Sequence, residues 1–283
     1  MSLALLSMIG WSIVDTISKV LVKKTGYFRR VFFLNSIGTV FLLLYALTSI
    51  QLPLISFQAT LVTALTGILV TGIGSILYFK GMSMGDLSIV APISSSWGFI
   101  TALLALVFLG ETLTLGEGIS ELVIFVGIIL ASITGTTSMS LNGRRLALGA
   151  KEAIAATLVW AFGFYLLKFV VEEVGPIWSL ALTRIFGVVF LFLYGKATIK
   201  TFELSSRSVW LTLVLMSVLD VAAFICYVLG ISSGLVSIVA PIASTYTAIT
   251  FVLAYVFLAE RLKKNQYIGI GMILTGILGL SVF

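Results

Sequence analysis

Ten stretches of predominantly apolar residues follow one another along this chain, near 2–22, 31–50, 59–79, 87–109, 118–138, 150–171, 177–195, 208–229, 235–258 and 266–283. Each is close to the roughly 20 residues that a helix needs to cross the hydrocarbon core of a bilayer. Hydrophobic residues make up 60% of the 283 and charged residues 10%, against about 25% charged in a soluble domain. Such a chain cannot cover a water-facing surface, so the bilayer is its solvent. Backbone N–H and C=O groups in lipid must pair within the protein, which a helix does internally. The expected fold is therefore an all-α integral membrane protein with ten transmembrane helices. The first stretch lacks a basic N-terminal region and a clear small-residue cleavage site, so it reads as a structural helix rather than a signal peptide.

The hexapeptide Ser-Ile-Val-Ala-Pro-Ile occurs at 88–93 and again at 237–242, in a chain with four prolines. The 149-residue offset extends well beyond it. Between 85–111 and 234–260, 16 of 27 positions are identical without a gap. The same offset pairs Trp11 with Trp160, Lys19 with Lys168, Tyr45 with Tyr194, Tyr78 with Tyr227 and Gly81 with Gly230. A shared apolar composition does not place Trp, Lys, Tyr and Pro in one register. The chain thus divides into two five-helix repeats, 1–143 and 144–283. Five is odd, so the second repeat enters the membrane from the opposite side. Such inverted repeats are typical of secondary transporters.

Charge gives an independent test of the inversion. Fourteen of the 17 basic residues fall on odd-numbered loops, including Lys23, Lys24, Arg29 and Arg30 in the first and Lys80 bordering the third. Arg144, Arg145 and Lys151 surround the mid-chain connection; Lys196, Lys200 and Arg207 fall in the seventh loop and Arg261, Lys263 and Lys264 in the ninth. Even loops carry Glu111, Glu117, Glu172 and Glu173 instead. Lys and Arg are retained on the cytoplasmic side. Odd loops are therefore expected inside a cytoplasmic membrane and both termini outside. Basic residues held in short loops mark membrane orientation rather than a nucleic-acid groove. The single Cys226 permits no intrachain disulfide, and the absence of histidine removes the commonest metal ligand and proton shuttle. No metal site, cofactor or nucleic-acid partner is expected.

Trp11 with Lys19, Trp160 with Lys168, the small-residue segments around Pro92 and Pro241, and the steps Gly110-Glu111 and Ala259-Glu260 form two ordered sets. Together they resemble the drug/metabolite transporter superfamily, in particular its ten-helix EamA-type members, over the whole chain. One departure matters. Members usually keep both termini in the cytoplasm and carry an E-E-x-G-P turn, followed by an Arg-Phe-type step, in the first half. Here that signature is Glu172-Glu173-Val174-Gly175-Pro176 with Arg184-Ile185-Phe186, in the second half. The halves look exchanged, in agreement with the charges, so direction of transport does not carry over from relatives.

Proline within a helix removes one backbone hydrogen bond and clashes with the preceding turn. Pro92 and Pro241 are expected as gating hinges of two bent helices flanking one central cavity. Ser94, Ser95 and Ser96 follow the first proline, and Ser244 and Thr245 the second; their hydroxyls either satisfy local backbone or face a solute. Trp97 and Tyr246 stand at matched positions beyond them, each with an apolar face and a polar tip. Ionisable groups at membrane depth are functional candidates by default. Asp15 and Lys19, four residues apart, share a helix face; Lys19 and Lys168 alternatively snorkel to the interface. Arg184 is a candidate for binding a solute carboxylate or phosphate, or pairs with Asp220 or Asp15. Asp220 and Asp15 are the candidate proton-coupling groups, with structural pairing the alternative. Trp11, Trp160, Tyr78 and Tyr227 are read as cavity-lining, with packing the alternative, and Glu121 as solvated near the outer interface.

These features point to a secondary transporter, an exporter or exchanger of small organic metabolites, amino-acid-like or similarly amphipathic. Two halves would rock about a midplane site, coupled to protons, to a counter-solute or to neither. An exchanger of phosphorylated or nucleotide-linked sugars is the alternative, with only Arg184, Lys19 and Lys168 available for its phosphates. A membrane enzyme has no H-E-x-x-H or Walker sequence to work with, and a scaffold would need no cavity. Besides the solute the expected partner is lipid; with both halves in one chain, a monomer suffices.

Overall fold

A computed structural model describes residues 1–49, 53–132, 148–199, 202, 206–258 and 263–282. The described residues are helical with no strand, and ten spans among them are long and apolar enough to cross a membrane. The first half holds α1 (Ser2–Thr25), α2 (Tyr27–Ser49), α3 (Phe57–Gly67), a π-helical turn (Ile68–Gly74), α4 (Ser75–Met84), α5 (Leu87–Ser95), α6 (Trp97–Phe108) and α7 (Leu115–Ser132). The second holds α8 (Ala150–Val174), α9 (Pro176–Thr198), α10 (Arg207–Ser233), α11 (Val236–Ser244), α12 (Tyr246–Leu258) and α13 (Lys264–Val282). Arg144, Arg145, Lys200, Ala259, Glu260 and Arg261, used in the reading of charge and motif, lie outside the described residues.

Matching sequence produces matching backbone. Gly26 ends α1 and Gly175 ends α8, both at φ 79°, a conformation that a side chain disfavours. Each glycine N–H closes its helix, onto Val22 O and Val171 O, both at 2.9 Å. The proline-containing spans both break in two. α5 gives way to α6 at Ser96 and α11 to α12 at Thr245, where the backbone tightens to bonds spanning three residues, Ser96 N to Ile93 O at 3.3 Å and Thr245 N to Ile242 O at 3.1 Å. Three residues beyond each proline a hydroxyl turns back: Ser95 Oγ to Pro92 O and Ser244 Oγ to Pro241 O, each at 2.8 Å. Buried hydroxyls with no solvent to bond take local carbonyls.

The halves interlock. α1 packs against α10, α11 and α12, and α8 against α3, α4, α5 and α6. Apolar burial does not drive helices together in lipid, so close approach depends on small residues. The tightest seam joins α7 to α13. There a Cβ on Gly127 would fall 2.8 Å from Gly269 O, and one on Gly276 would fall 2.7 Å from Ser120 O. Gly276 is the counterpart of Gly127, and Gly269 of Ser120, so the contact repeats with the partners exchanged. The same exchange occurs between the broken helices. Gly98 backs onto Ser244, and Ser95 Oγ lies 3.4 Å from Thr247 Oγ1.

Several expectations from the sequence are corrected by packing. Arg30 is not a loop residue: one residue, Gly26, separates α1 from α2, and Arg30 lies in the first turn of α2, 2% exposed. Lys80 lies within α4 and pairs with Glu152 of α8 at 3.3 Å. Glu121 is 4% exposed rather than solvated, because α7 turns that face towards its neighbours, and its Oε1 has no hydrogen-bond partner among the described residues.

Candidate functional site

The two halves meet around a cavity whose wall alternates aromatic and ionisable groups. Trp11, Asp15, Tyr78, Trp97, Trp160, Asp220 and Tyr246, all singled out in the sequence, line it. So do Arg30, Asn35, Thr71, Ser75, Phe79, Phe164 and Phe224, which were not. Its volume is about 70 Å³, below the ~300–1,000 Å³ of pockets that hold small organic ligands.

Each charge on the wall has one defined partner. Tyr78 donates its hydroxyl to Asp15 Oδ2 at 2.5 Å, so Asp15 does not pair with Lys19 one turn along α1. Arg184 Nη2 donates to Asp220 Oδ2 at 2.6 Å, and the guanidinium lies 4.7 Å from the Phe224 ring centre. Arg184 stands behind Asp220 rather than on the wall, 1% exposed, and its Nη1 has no partner among the described residues. Arg30 Nη2 donates to Ser18 Oγ at 2.5 Å, with its guanidinium 3.5 Å over the Phe79 ring. Two carboxylates and two guanidiniums thus sit within one buried region. Unpaired, a charge there would be costly.

The apolar side of the site is an aromatic cluster centred on Trp11. Phe224 stands 4.9 Å from it, Tyr227 5.6 Å, Trp97 and Phe164 6.1 Å and Tyr246 6.4 Å between ring centres. Tyr227 belongs to this cluster and not to the cavity wall; its hydroxyl has no partner among the described residues. Ser95, Ser244 and Thr245 also lie off the wall. The first two bond the proline carbonyls, and Thr245 bonds Ile242 O at 2.6 Å. Ser96 is half-buried at the break itself, likewise off the wall.

Ionisable character is distributed asymmetrically over a symmetric frame. In the repeat register Asp15 faces Phe164, Arg30 faces Ser179, Arg184 faces Asn35 and Asp220 faces Thr71. The polar pair Asp15–Tyr78 therefore has an apolar counterpart, Phe164–Tyr227, with ring centres 5.1 Å apart. Trp160 differs from its mate too. Its indole N–H donates to Val70 O at 3.0 Å, a carbonyl of the π-helical turn, whereas the Trp11 Nε1 has no partner among the described residues. The matched stretch of α10 is regular helix. π-turns release backbone groups from the regular ladder and recur at functional sites.

The two lysines, off the cavity wall, show the same matched spacing. Lys19 Nζ donates to Met82 O at 3.0 Å and to Gly85 O at 2.5 Å. Lys168 Nζ donates to Ile231 O at 2.8 Å and pairs with Glu172 at 3.3 Å. At 8% exposure Lys19 does not snorkel; it satisfies carbonyls that the end of α4 leaves open. Glu111, unlike the lysines, crosses between halves, its two carboxylate oxygens accepting from Val236 N at 2.9 Å and Ser237 N at 2.8 Å, the start of α11.

The profile of the EamA-like transporter family matches residues 1–133 and again residues 147–282. The chain belongs to the EamA-like transporter family. As an EamA-type member of the drug/metabolite transporter superfamily it is a multi-pass membrane protein of a transporter family, not of an enzyme family. An uncharacterized transporter of Bacillus subtilis is 28% identical over 221 residues, 74% of this chain and 69% of that relative. An uncharacterized protein of Methanocaldococcus jannaschii is 33% identical over 132 residues, 47% of this chain and 95% of that protein. That relative is about half the length of this EamA member. A solved structure superposes with a TM-score of 0.77 at 15% identity, over 100% of this chain and 99% of that one, which shows a shared fold.

Arg30 is the site residue that the sequence reading misplaced, since four basic residues within eight positions resemble a loop. Its counterpart signal was present: Ser18, twelve residues earlier, lies on the α1 face that α2 must cover. Phe79, Phe164 and Phe224 gave no distinguishing signal in a chain with 20 phenylalanines.

Proposed function

We propose that this protein is a secondary transporter, an exporter or exchanger of a small amphipathic organic solute, working by alternating access at the Trp11–Asp15–Asp220 cavity. The observation that carries this reading is the buried quartet Asp15, Arg30, Arg184 and Asp220 set beside the Trp11 aromatic cluster. A solute with one cationic and one anionic group can replace the internal partners of these charges, and its apolar portion fits the aromatic side. An amino-acid-like solute has this form.

Access alternates, on this reading, because residues 1–143 and 144–283 are inverted copies related by an axis in the membrane plane. The exchanged contacts Gly127–Gly269 and Ser120–Gly276 support a two-fold relation. Five spans per half support the inversion. The breaks after Pro92 and Pro241 give each half a hinge facing opposite sides. Odd loops lie in the cytoplasm of the cell membrane and the termini outside. A sugar-phosphate exchanger is less well supported, because Lys19 and Lys168 are engaged with carbonyls away from the cavity.

The test is flux in proteoliposomes loaded with an amino-acid and organic-cation panel, with and without an imposed pH gradient. Wild type should move at least one amphoteric solute, and Asp15→Asn and Asp220→Asn should slow it in protein that still folds. Failure of every amphoteric solute, with flux of a neutral or purely anionic one, overturns the reading. An alkaline phosphatase fused after Phe283 should be active in the periplasm; an inactive but intact fusion reverses the orientation.

A further inference from the structure

Two open grooves run along the flanks of the bundle, and in the repeat register they are counterparts. One lies between α1, α10 and α12, with about 590 Å³ of space. The other lies between α3 and α8, with about 600 Å³. Ile17 and Leu21 line the first; Leu166 and Val170, 149 residues later, line the second. Position and volume repeat, but the linings do not: Leu253 and Phe257 of α12 wall the first groove, whereas Ser56, Gln58 and Tyr165 make the second more polar. The first mouth carries Lys24 with Ser208, the second Glu173 with Glu172 and, opposite Ser208, Ala59. Lys24 forms no ion pair among the described residues.

An apolar groove facing lipid takes an acyl chain, and what distinguishes one chain-bearing molecule from another is the headgroup at the mouth. We infer that the α1/α10/α12 groove is a seat for one anionic phospholipid, an acyl chain lying along Ile17, Val20 and Leu21 and the phosphate meeting Lys24 and the Ser208 hydroxyl. Charge complementarity selects the occupant. A cation beside an anionic bilayer surface gains about 1 kcal/mol, roughly fivefold in affinity. Arg207 and Ser208 open α10, so the first amides of that helix add partial positive charge at the same mouth. The α3/α8 groove offers a chain the matched Leu166 and Val170 beside a more polar wall, and meets an anionic headgroup with two carboxylates. This inference rests on the membrane setting and not on the transport reading, since lipid retention is measured without flux.

Native mass spectrometry of the full chain released from detergent tests it, with dioleoyl phosphatidylglycerol and dioleoyl phosphatidylcholine supplied in equal amounts. Wild type should retain one phosphatidylglycerol about fivefold over phosphatidylcholine, less so as salt is raised. Lys24→Glu should abolish that preference, and Glu173→Lys should create a second phosphatidylglycerol site in the counterpart groove. Val20→Trp, which fills the groove and leaves Lys24 in place, should lower retention of the first lipid. No preference in wild type overturns the proposal. So does an unchanged preference in Lys24→Glu or, if that variant does not fold, one lipid rather than two in Glu173→Lys. Thermal stabilisation by inorganic phosphate equal to that by phosphatidylglycerol would also overturn it, because the acyl chain would then contribute nothing.

Discussion

Lys19 and Lys168 stand 149 residues apart, and so do the carbonyls they hold, those of Met82 and Ile231. One ammonium–carbonyl link has been kept in both copies of the repeat, tying the first helix of each half to the end of its third span. The two links differ in setting. Lys19 is buried and holds a second carbonyl, Gly85 O, whereas the Lys168 side chain is 16% exposed and shares its charge with a Glu172 that is 59% exposed.

Lys19→Met should therefore lower stability by about 1.5–3 kcal/mol, the range for hydrogen bonds from charged groups. Lys168→Met should cost less than Lys19→Met, since it loses one carbonyl hydrogen bond rather than two and its pair with the exposed Glu172 is screened. Thermal melts of both variants in one detergent check this; equal losses would show that the two links carry equal weight.

Arg184 and Asp220 form a buried pair at 2.6 Å. Asp220→Leu or Arg184→Met alone leaves one charge uncompensated and should cost about 3–5 kcal/mol, while the two changes together should recover most of it. Melting curves for the four proteins form a double-mutant cycle. Additive single losses would mean that the pair is not coupled. The double variant, stable but without the charges, should not transport.

Tyr78→Phe and Tyr227→Phe make the same chemical change at matched positions. The first removes the donor to Asp15 and leaves a buried carboxylate short of a partner, costing about 1–3 kcal/mol. The second removes a buried hydroxyl that lacks a partner among the described residues, so stability should hold or rise by up to about 1 kcal/mol. Chemical denaturation in mixed micelles distinguishes the two; a loss at Tyr227 as large as at Tyr78 would contradict the arrangement.

The α7–α13 seam predicts a glycine pattern. Gly127→Ala and Gly276→Ala each push a methyl against backbone oxygen at 2.8 and 2.7 Å and should cost about 1–3 kcal/mol. Gly118→Ala and Gly271→Ala, on the same two helices with nothing within 4 Å, should be neutral or slightly stabilising. Retained fluorescence of a fused reporter after heating ranks all four.

Helix number, the repeat and its breaks were legible because each has a one-dimensional signature: a 20-residue apolar window, a fixed offset, a proline. The Arg184–Asp220 pair was legible as one alternative, since two lone opposite charges at membrane depth have few partners. Asp15 was harder. Spacing along α1 pointed to Lys19, but Tyr78 arrives from α4, and only packing decides between a neighbour on the same helix and one from another. Arg30 was misread because position in the chain is not depth; a one-residue link at Gly26 draws the first turn of α2 into the bundle. The π-helical turn at Ile68–Gly74 was not anticipated from the sequence; its Val70 carbonyl accepts from Trp160, which arrives from another span, and from Ser75.

The exchanged glycine contacts between α7 and α13 have the form of an interface between two separate subunits. Assembly at such a surface depends on shape and proximity rather than on a covalent tether. If the gene were severed in the 133–147 region and the pieces co-expressed, each would carry a complete face for the other, and the covalent join would matter mainly for keeping their ratio at one to one.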